Sequence, residues 1–312
     1  MRARVRAQKA PLRWLGQNLL SRPRVINKQR NKRMKTRILT GLVIAILGLP
    51  ILIFSNLVFY PIVISLLSGL ALFELYRVLG LHKKLVLTVP TYAIAVAFPT
   101  LVYFIVPGTV DHMTVLLWEV LAVFFYLFYA LCVAVLSRQT ISTDEVARAF
   151  FSTAYISISF TSLTLLRYMP NGEYYIALVF IAAWATDIFA YFVGSFLGKH
   201  KLAPVVSPKK SIEGAVGGTV GCVLCFLGYG LILKLCFGVE SIEYLSLAIM
   251  GLTLSVIAQI GDLACSLVKR EHGVKDYGKI FPGHGGVLDR FDSIVAVSTL
   301  LVVLCTLLSP LG

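Results

Sequence analysis

An all-α, polytopic integral membrane protein with about nine transmembrane helices and a cytosolic N-terminus is the fold class that this sequence predicts. Hydrophobic residues make up 58% of the 312 and charged residues only 14%, against about a quarter in soluble domains. Mean hydropathy is +0.83. The apolar runs are long enough to span a bilayer, and the segments between them alternate in charge.

The runs fall at 38–54, 57–76, 85–106, 114–136, 146–166, 174–197, 212–236, 244–268 and 287–308. Only Ser55 and Asn56 divide the first two, and Pro61 lies just inside the second. One set of connections carries Arg77, Lys83 and Lys84, then Arg138 and Arg148, then Lys199, Lys201, Lys209 and Lys210, then Lys269, Arg270, Lys275, Lys279 and Arg290. The other set carries Asp111, then Arg167 with Glu173, then Glu240 and Glu243. The positive-inside rule puts the first set in the cytosol and the C-terminus outside. No linker is long enough for a soluble domain and no long-period repeat is visible, so 34–312 reads as one membrane-embedded domain.

The net charge of +14 resembles that of a nucleic-acid binder, yet residues 1–37 hold thirteen of the 29 Lys and Arg and no acid. The remainder carries 16 basic against 15 acidic residues, so no nucleic-acid partner is expected. Residues 1–33 read as a basic, disordered extension suited to anionic lipid headgroups or to an organelle transit peptide. Met34, followed by Lys35, Thr36 and Arg37 and then an apolar run, would itself make a good membrane-protein start. The six cysteines, Cys132, Cys222, Cys225, Cys236, Cys265 and Cys305, lie in or beside apolar stretches and give no disulfide framework. Cys222 and Cys225 form a CxxC inside a glycine-rich run, where packing is the expected role.

Three constellations carry chemistry. In the sixth run Asp187 stands among apolar residues, with Tyr191 and Gly194 at i+4 and i+7 on the same helical face. A carboxylate there needs a cation, a metal or a polar cavity, the structural alternative being a hydrogen-bonded or protonated acid. The second is SPKKSIEGAVGG, residues 207–218, where Ser207 or Ser211 can cap a helix beside Lys209 and Lys210. Backbone N–H groups and ammonium groups together suit a polyanion such as a triphosphate, although positive-inside lysines alone would look the same. Gly214 with Gly218, and Gly217 with Gly221, give small-xxx-small spacing for close helix packing, and a homodimer through this run is a further expectation.

The third lies between Asp262 and Ser293. Asp262, Ser266 and Lys269 stand at i, i+4 and i+7, one polar stripe at the end of the eighth run. Beyond a PGHGG turn, Asp289 and Asp292 flank Arg290 at the start of the ninth, two carboxylates that repel unless a cation sits on them. Magnesium takes oxygen ligands from one or two carboxylates plus substrate phosphates, and Asp262 and Asp289 suit it. His272 and His284 lack the cysteine partners of a zinc site. Helix-dipole stabilisation explains one of these acids, not the set.

Ser266, Lys269 and Arg270, then Lys275 and Asp276, then Pro282 to Gly286 with Asp289, Arg290 and Asp292, form a pattern that resembles the motif of the phosphatidate cytidylyltransferases, or CDP-diglyceride synthetases. Ser207 to Gly214 and Asp187 match further features of that family, and the resemblance runs from about residue 34 to the end. It implies transfer of the cytidylyl group of CTP to phosphatidate, giving CDP-diacylglycerol and pyrophosphate, at the cytosolic face of the bacterial inner membrane. It implies Mg2+ on Asp262 and Asp289, a second, monovalent cation (K+), and catalytic roles for Lys269, Asp289, Asp292 and Asp262. Ser207, Lys209, Lys210, Ser266, Arg270, His284, Arg290 and Asp187 are the expected substrate contacts. Other readings are a CTP-dependent polyprenol or phytol kinase, which the intact motif opposes, and a secondary transporter, for which inverted repeats and paired broken helices are lacking.

Overall fold

The computed structural model describes residues 55, 57–106, 111–137 and 140–311. The run expected at 38–54, the basic tail and Arg138 lie outside the described residues. Within them the chain forms α1 (Phe59–Val78), α2 (Leu85–Ile105), α3 (His112–Leu136), α4 (Thr143–Tyr168) and α5 (Gly172–Leu197). A short hairpin of β1 (Lys201–Ala203) and β2 (Ser207–Ser211) follows, then α6 (Ile212–Phe237), α7 (Tyr244–Glu271) and α8 (Leu288–Leu308). All eight helices are long and apolar enough to cross a membrane, matching the eight expected runs from residue 57 onward.

Where boundaries differ from the apolar runs, a cap explains it. Helix α4 starts three residues before its run because Ser142 and Glu145 form a capping box, with Glu145 N–H donating to Ser142 Oγ at 3.2 Å and Ser142 N–H to Glu145 Oε2 at 2.9 Å. Asp111 caps α3, accepting from Met113 N–H at 3.2 Å. Helix α6 ends at Gly238, which takes φ +70°, a left-handed conformation that glycine adopts without a Cβ clash. Pro90 and Pro99 lie inside α2, a position tolerated in spanning helices where neighbours satisfy the freed carbonyls.

Helix α4 is the hub, packed against α1, α2, α3, α5 and α8. Several of its buried hydroxyls pair across helices. Thr153 meets the Tyr76 hydroxyl of α1 at 2.8 Å, Ser162 donates to Thr299 of α8 at 3.2 Å, and Ser157 and Thr161 both donate to Glu119 Oε1 of α3. Each such bond between spanning helices contributes about 0.6 kcal/mol. Glu119, fully buried, is thus held by hydroxyls.

Helices α5 and α6 approach most closely. A Cβ on Gly214 would meet Ala190 O at 2.7 Å and one on Gly218 would meet Thr186 O at 2.8 Å, while Gly217 and Gly221 abut Val193 and Phe189. Both glycine pairs are therefore spent on α5 of the same chain. Val216, Val220 and Leu224 are what α6 turns outward.

Candidate active site

The SPKKS segment is a β-strand, not the start of a helix: Lys201 pairs with Ser211 and Ala203 with Ser207 in the antiparallel hairpin. Of the two caps weighed, Ser211 is the one used, its Oγ accepting from Gly214 N–H at 3.2 Å. Glu213 occupies the same helix end, its carboxylate accepting from Lys199 N–H at 3.1 Å and from His200 N–H at 3.2 Å. A phosphate on the α6 N-terminus would meet a serine oxygen and a carboxylate already there, so the anion-binding groups this segment offers are its lysines.

The hairpin and the α5–α6 contact form one wall of a cavity of about 360 Å³ lined by Asp187, Tyr191, Gly194, Ser207, Lys209, Lys210 and Gln259. Asp187, Tyr191 and Gly194 share this cavity as their helical spacing predicts. Gln259 was not anticipated. It donates through Nε2 to Ala215 O and Thr219 Oγ1 of α6 at 3.3 and 3.2 Å, tying α7 to the cavity wall. The outer face of α5 beside it, Phe192, Phe196 and Leu197, is exposed and apolar, the surface that lipid would cover.

A second cavity, about 620 Å³, lies over the PGHGG turn and is lined by Lys275, Asp276, Lys279 and Arg290 together with residues 281–285. The turn folds back through Phe281 N–H to Gly285 O at 2.9 Å. Gly283 and Gly285 take φ +79° and +91°, conformations open to glycine and strained for other residues.

Between the cavities stand the acids. Lys210 Nζ pairs with Asp262, and the Asp262 carboxyl faces that of Asp292. Asp187 lies within electrostatic reach of Asp262, Lys210 and Arg290, and Arg290 itself lines the cavity over the turn. Asp289 is buried and held on both oxygens: Oδ2 accepts from Tyr277 N–H at 2.7 Å, Gly286 N–H at 2.9 Å and Gly278 N–H at 3.4 Å, while Oδ1 accepts from Lys269 Nζ at 2.8 Å. Lys269, also buried, sits 5.1 Å from the centroid of the Tyr277 ring. Burial raises the Tyr277 phenol above its ordinary range, so the hydroxyl stays protonated and donates to Cys265 O at 2.9 Å. Ser266 lies half-buried on α7 between Asp262 and Lys269, and Arg270 is exposed at the helix end and lines neither cavity.

Three residues here escaped sequence reasoning. Glu74 and Arg77 of α1 reach the turn, with Glu74 Oε2 accepting from Leu288 N–H at 2.9 Å and Arg77 Nη2 donating to Tyr277 O. Tyr277 is the third. The signal for Glu74 was present, since an acid within an apolar run invites the argument applied to Asp187.

A spanning bundle that gathers four aspartates, several Lys and Arg and a glycine turn at one end defines a class: membrane enzymes that handle polyphosphates. The sequence matches the cytidylyltransferase family over residues 35–308, and the chain belongs to that family. It is 37% identical over 283 residues to the phosphatidate cytidylyltransferase of Bacillus subtilis (strain 168), covering 88% of this chain and 99% of that one. It is also 38% identical over 272 residues to the phosphatidate cytidylyltransferase of Staphylococcus saprophyticus and 36% identical over 273 to that of Staphylococcus haemolyticus, each covering 87% of this chain and 98% of the relative.

Proposed function

We infer that this protein transfers the cytidylyl group of CTP to phosphatidate, giving CDP-diacylglycerol and pyrophosphate. Family membership and full-length similarity to phosphatidate cytidylyltransferases support the reaction. The observation that carries the residue roles is the pair of cavities flanking one cluster of acids, one beside a lipid-facing helix and one over a basic glycine turn.

The phosphatidate headgroup takes the cavity of Lys209, Lys210 and Ser207, with its acyl chains against Phe192 and Phe196 of α5. CTP places its phosphates over the turn, against Lys275, Lys279, His284 and Arg290. A lipid phosphate oxygen attacks the α-phosphorus, the bond from that phosphorus to the bridging oxygen breaks, and pyrophosphate leaves. The nucleophile is already ionised, so no general base is needed, and the side chains act by positioning and charge neutralisation.

The acids present fit a hard divalent cation. Such an ion relies on one or two carboxylates and completes its shell with water and substrate phosphate. Asp262 and Asp289 are the proposed ligands. Asp289 is available through Oδ1, shared only with Lys269, because Oδ2 is committed to the turn, and Asp292 faces Asp262 with a further oxygen. Bound magnesium would supply charge neutralisation to the CTP phosphates. The second, monovalent cation rests on the family resemblance alone.

Residence in the bacterial inner membrane with the site facing the cytoplasm is likewise a proposal, supported by the excess of Lys and Arg at this end of the bundle. Homodimerisation is proposed through the outward face of α6, Val216, Val220 and Leu224, since its glycine face is occupied. The reaction is tested with purified protein, phosphatidate and CTP labelled at either the α- or the γ-phosphate. Label from the α-position must enter lipid, whereas label arriving only from the γ-position would identify a kinase. Asp262→Asn should abolish magnesium-dependent pyrophosphate release while the protein stays folded, and near wild-type turnover would remove Asp262 from the site.

A further inference from the structure

Helix α8 begins at Leu288 with Val287 as its N-cap, a residue with no side-chain acceptor, and no local cap is made. A helix start carries backbone N–H groups that need acceptors and a positive dipole end that favours an anion. Asp289 in the first turn supplies an anion locally, and an acceptor for the first N–H comes from α1, 214 residues away in sequence. Glu74 Oε2 accepts from Leu288 N–H at 2.9 Å. The carboxylate is 1% exposed and wedged between two backbones: a Cβ on Gly278 or on Gly286 would collide with it. One turn further along α1, Arg77 donates to Tyr277 O.

Asp289 also grips both limbs of the turn, through Tyr277, Gly278 and Gly286 N–H. Two carboxylates thus clasp both ends of the segment from 277 to 288, whose middle lines the cavity over the turn. Glu74 Oε1 remains without a hydrogen-bond partner although buried.

We propose that Glu74, assisted by Arg77, is a positioning residue for the nucleotide: it fixes the turn and the first residue of α8, and through them Asp289, Lys269 and Arg290. This rests on the cytidylyltransferase reading and adds α1 to the machinery. Because the clasp holds the turn cavity and not the lipid cavity, its loss should act on CTP selectively.

The test measures steady-state kinetics for each substrate separately, together with direct binding of a non-hydrolysable CTP analogue. Glu74→Ala should raise KM for CTP and weaken analogue binding by about ten- to a hundredfold, the effect of one lost charge-assisted hydrogen bond, while KM for phosphatidate stays put. Glu74→Gln, which keeps an acceptor for Leu288 N–H, should recover most of the loss, and Glu74→Asp, one methylene short, should not. Arg77→Met, at an exposed position, should give the same CTP-selective pattern more weakly. Unchanged CTP kinetics in Glu74→Ala, or parallel losses for both substrates that Glu74→Gln does not rescue, would overturn the proposal. Should Glu74→Ala fail to fold, the Gln, Asp and Arg77→Met variants decide by the same CTP-to-phosphatidate split. Wild-type protein that transfers no α-label would instead refute the reaction, and analogue binding would still judge the clasp.

Discussion

At Asp289 two demands meet in one carboxylate. Three backbone N–H groups and a buried ammonium converge on it, so its removal strands all four at once. Breaking a buried ion pair by deleting one partner costs about 3–5 kcal/mol. Asp289→Ala should therefore lower thermal stability in detergent as well as abolish turnover, whereas Asp262→Asn, at a more accessible acid, should lose turnover alone; equal melting temperatures for wild type and Asp289→Ala would contradict the clasp. The pair Lys269→Met and Asp289→Asn should be strongly non-additive, the double variant losing less stability than the two single losses combined. Asp289 stood out in the sequence as a candidate site acid because it sits in a dense motif. Its hold on the turn did not, since Tyr277 and Gly278 meet it only once the chain has doubled back.

Among elements, the α5–α6 pair sets the width of the proposed lipid site. Glycines at 214 and 218 let the two backbones nearly touch, and the hairpin that carries Lys209 and Lys210 is anchored to this pair through Ser211. Gly218→Val should pry the helices apart and raise KM for phosphatidate with less effect on CTP, and Gly228→Ala on the same helix, where nothing lies within 4 Å of the new methyl, serves as control. Equal kinetics for the two variants would uncouple helix spacing from the lipid site. Ser211→Ala should cost about 1 kcal/mol, the usual value of a helix cap, and is read by thermal unfolding in detergent. Small-xxx-small spacing was readable in the sequence, but it does not say which helix fills the groove. Here the filler is α5, the immediate neighbour in sequence.

At the scale of the whole molecule, α4 holds the bundle by hydroxyls and α1 closes over the site from the opposite end of the chain. Glu119→Gln should preserve the bonds from Ser157 and Thr161 and leave the enzyme active, while Glu119→Lys should expel the side chain from its apolar surroundings and prevent folding; the yield of monodisperse protein measures both. Sidedness is open to direct measurement. A cysteine at Lys275 should react with an impermeant maleimide only from the cytosolic side, and one at Glu240 only from the opposite side, with the reverse pattern refuting the proposed orientation. Deletion of residues 1–33 should leave turnover essentially intact, since the family match begins at residue 35.

Sequence by itself determined that this chain lives in a bilayer and where its spans from residue 57 onward run, and it marked out the dense motif to which the proposed chemistry is assigned. Hydrophobic length and helical spacing are local properties, readable along the chain without knowing its neighbours. Only the tertiary structure decided that SPKKS is a strand, that the glycine face is spent on α5, and that Asp289 and Glu74 clasp one turn between them. The physical reason is that a buried carboxylate is defined by the donors that reach it, and those donors come from residues as far as 214 positions away.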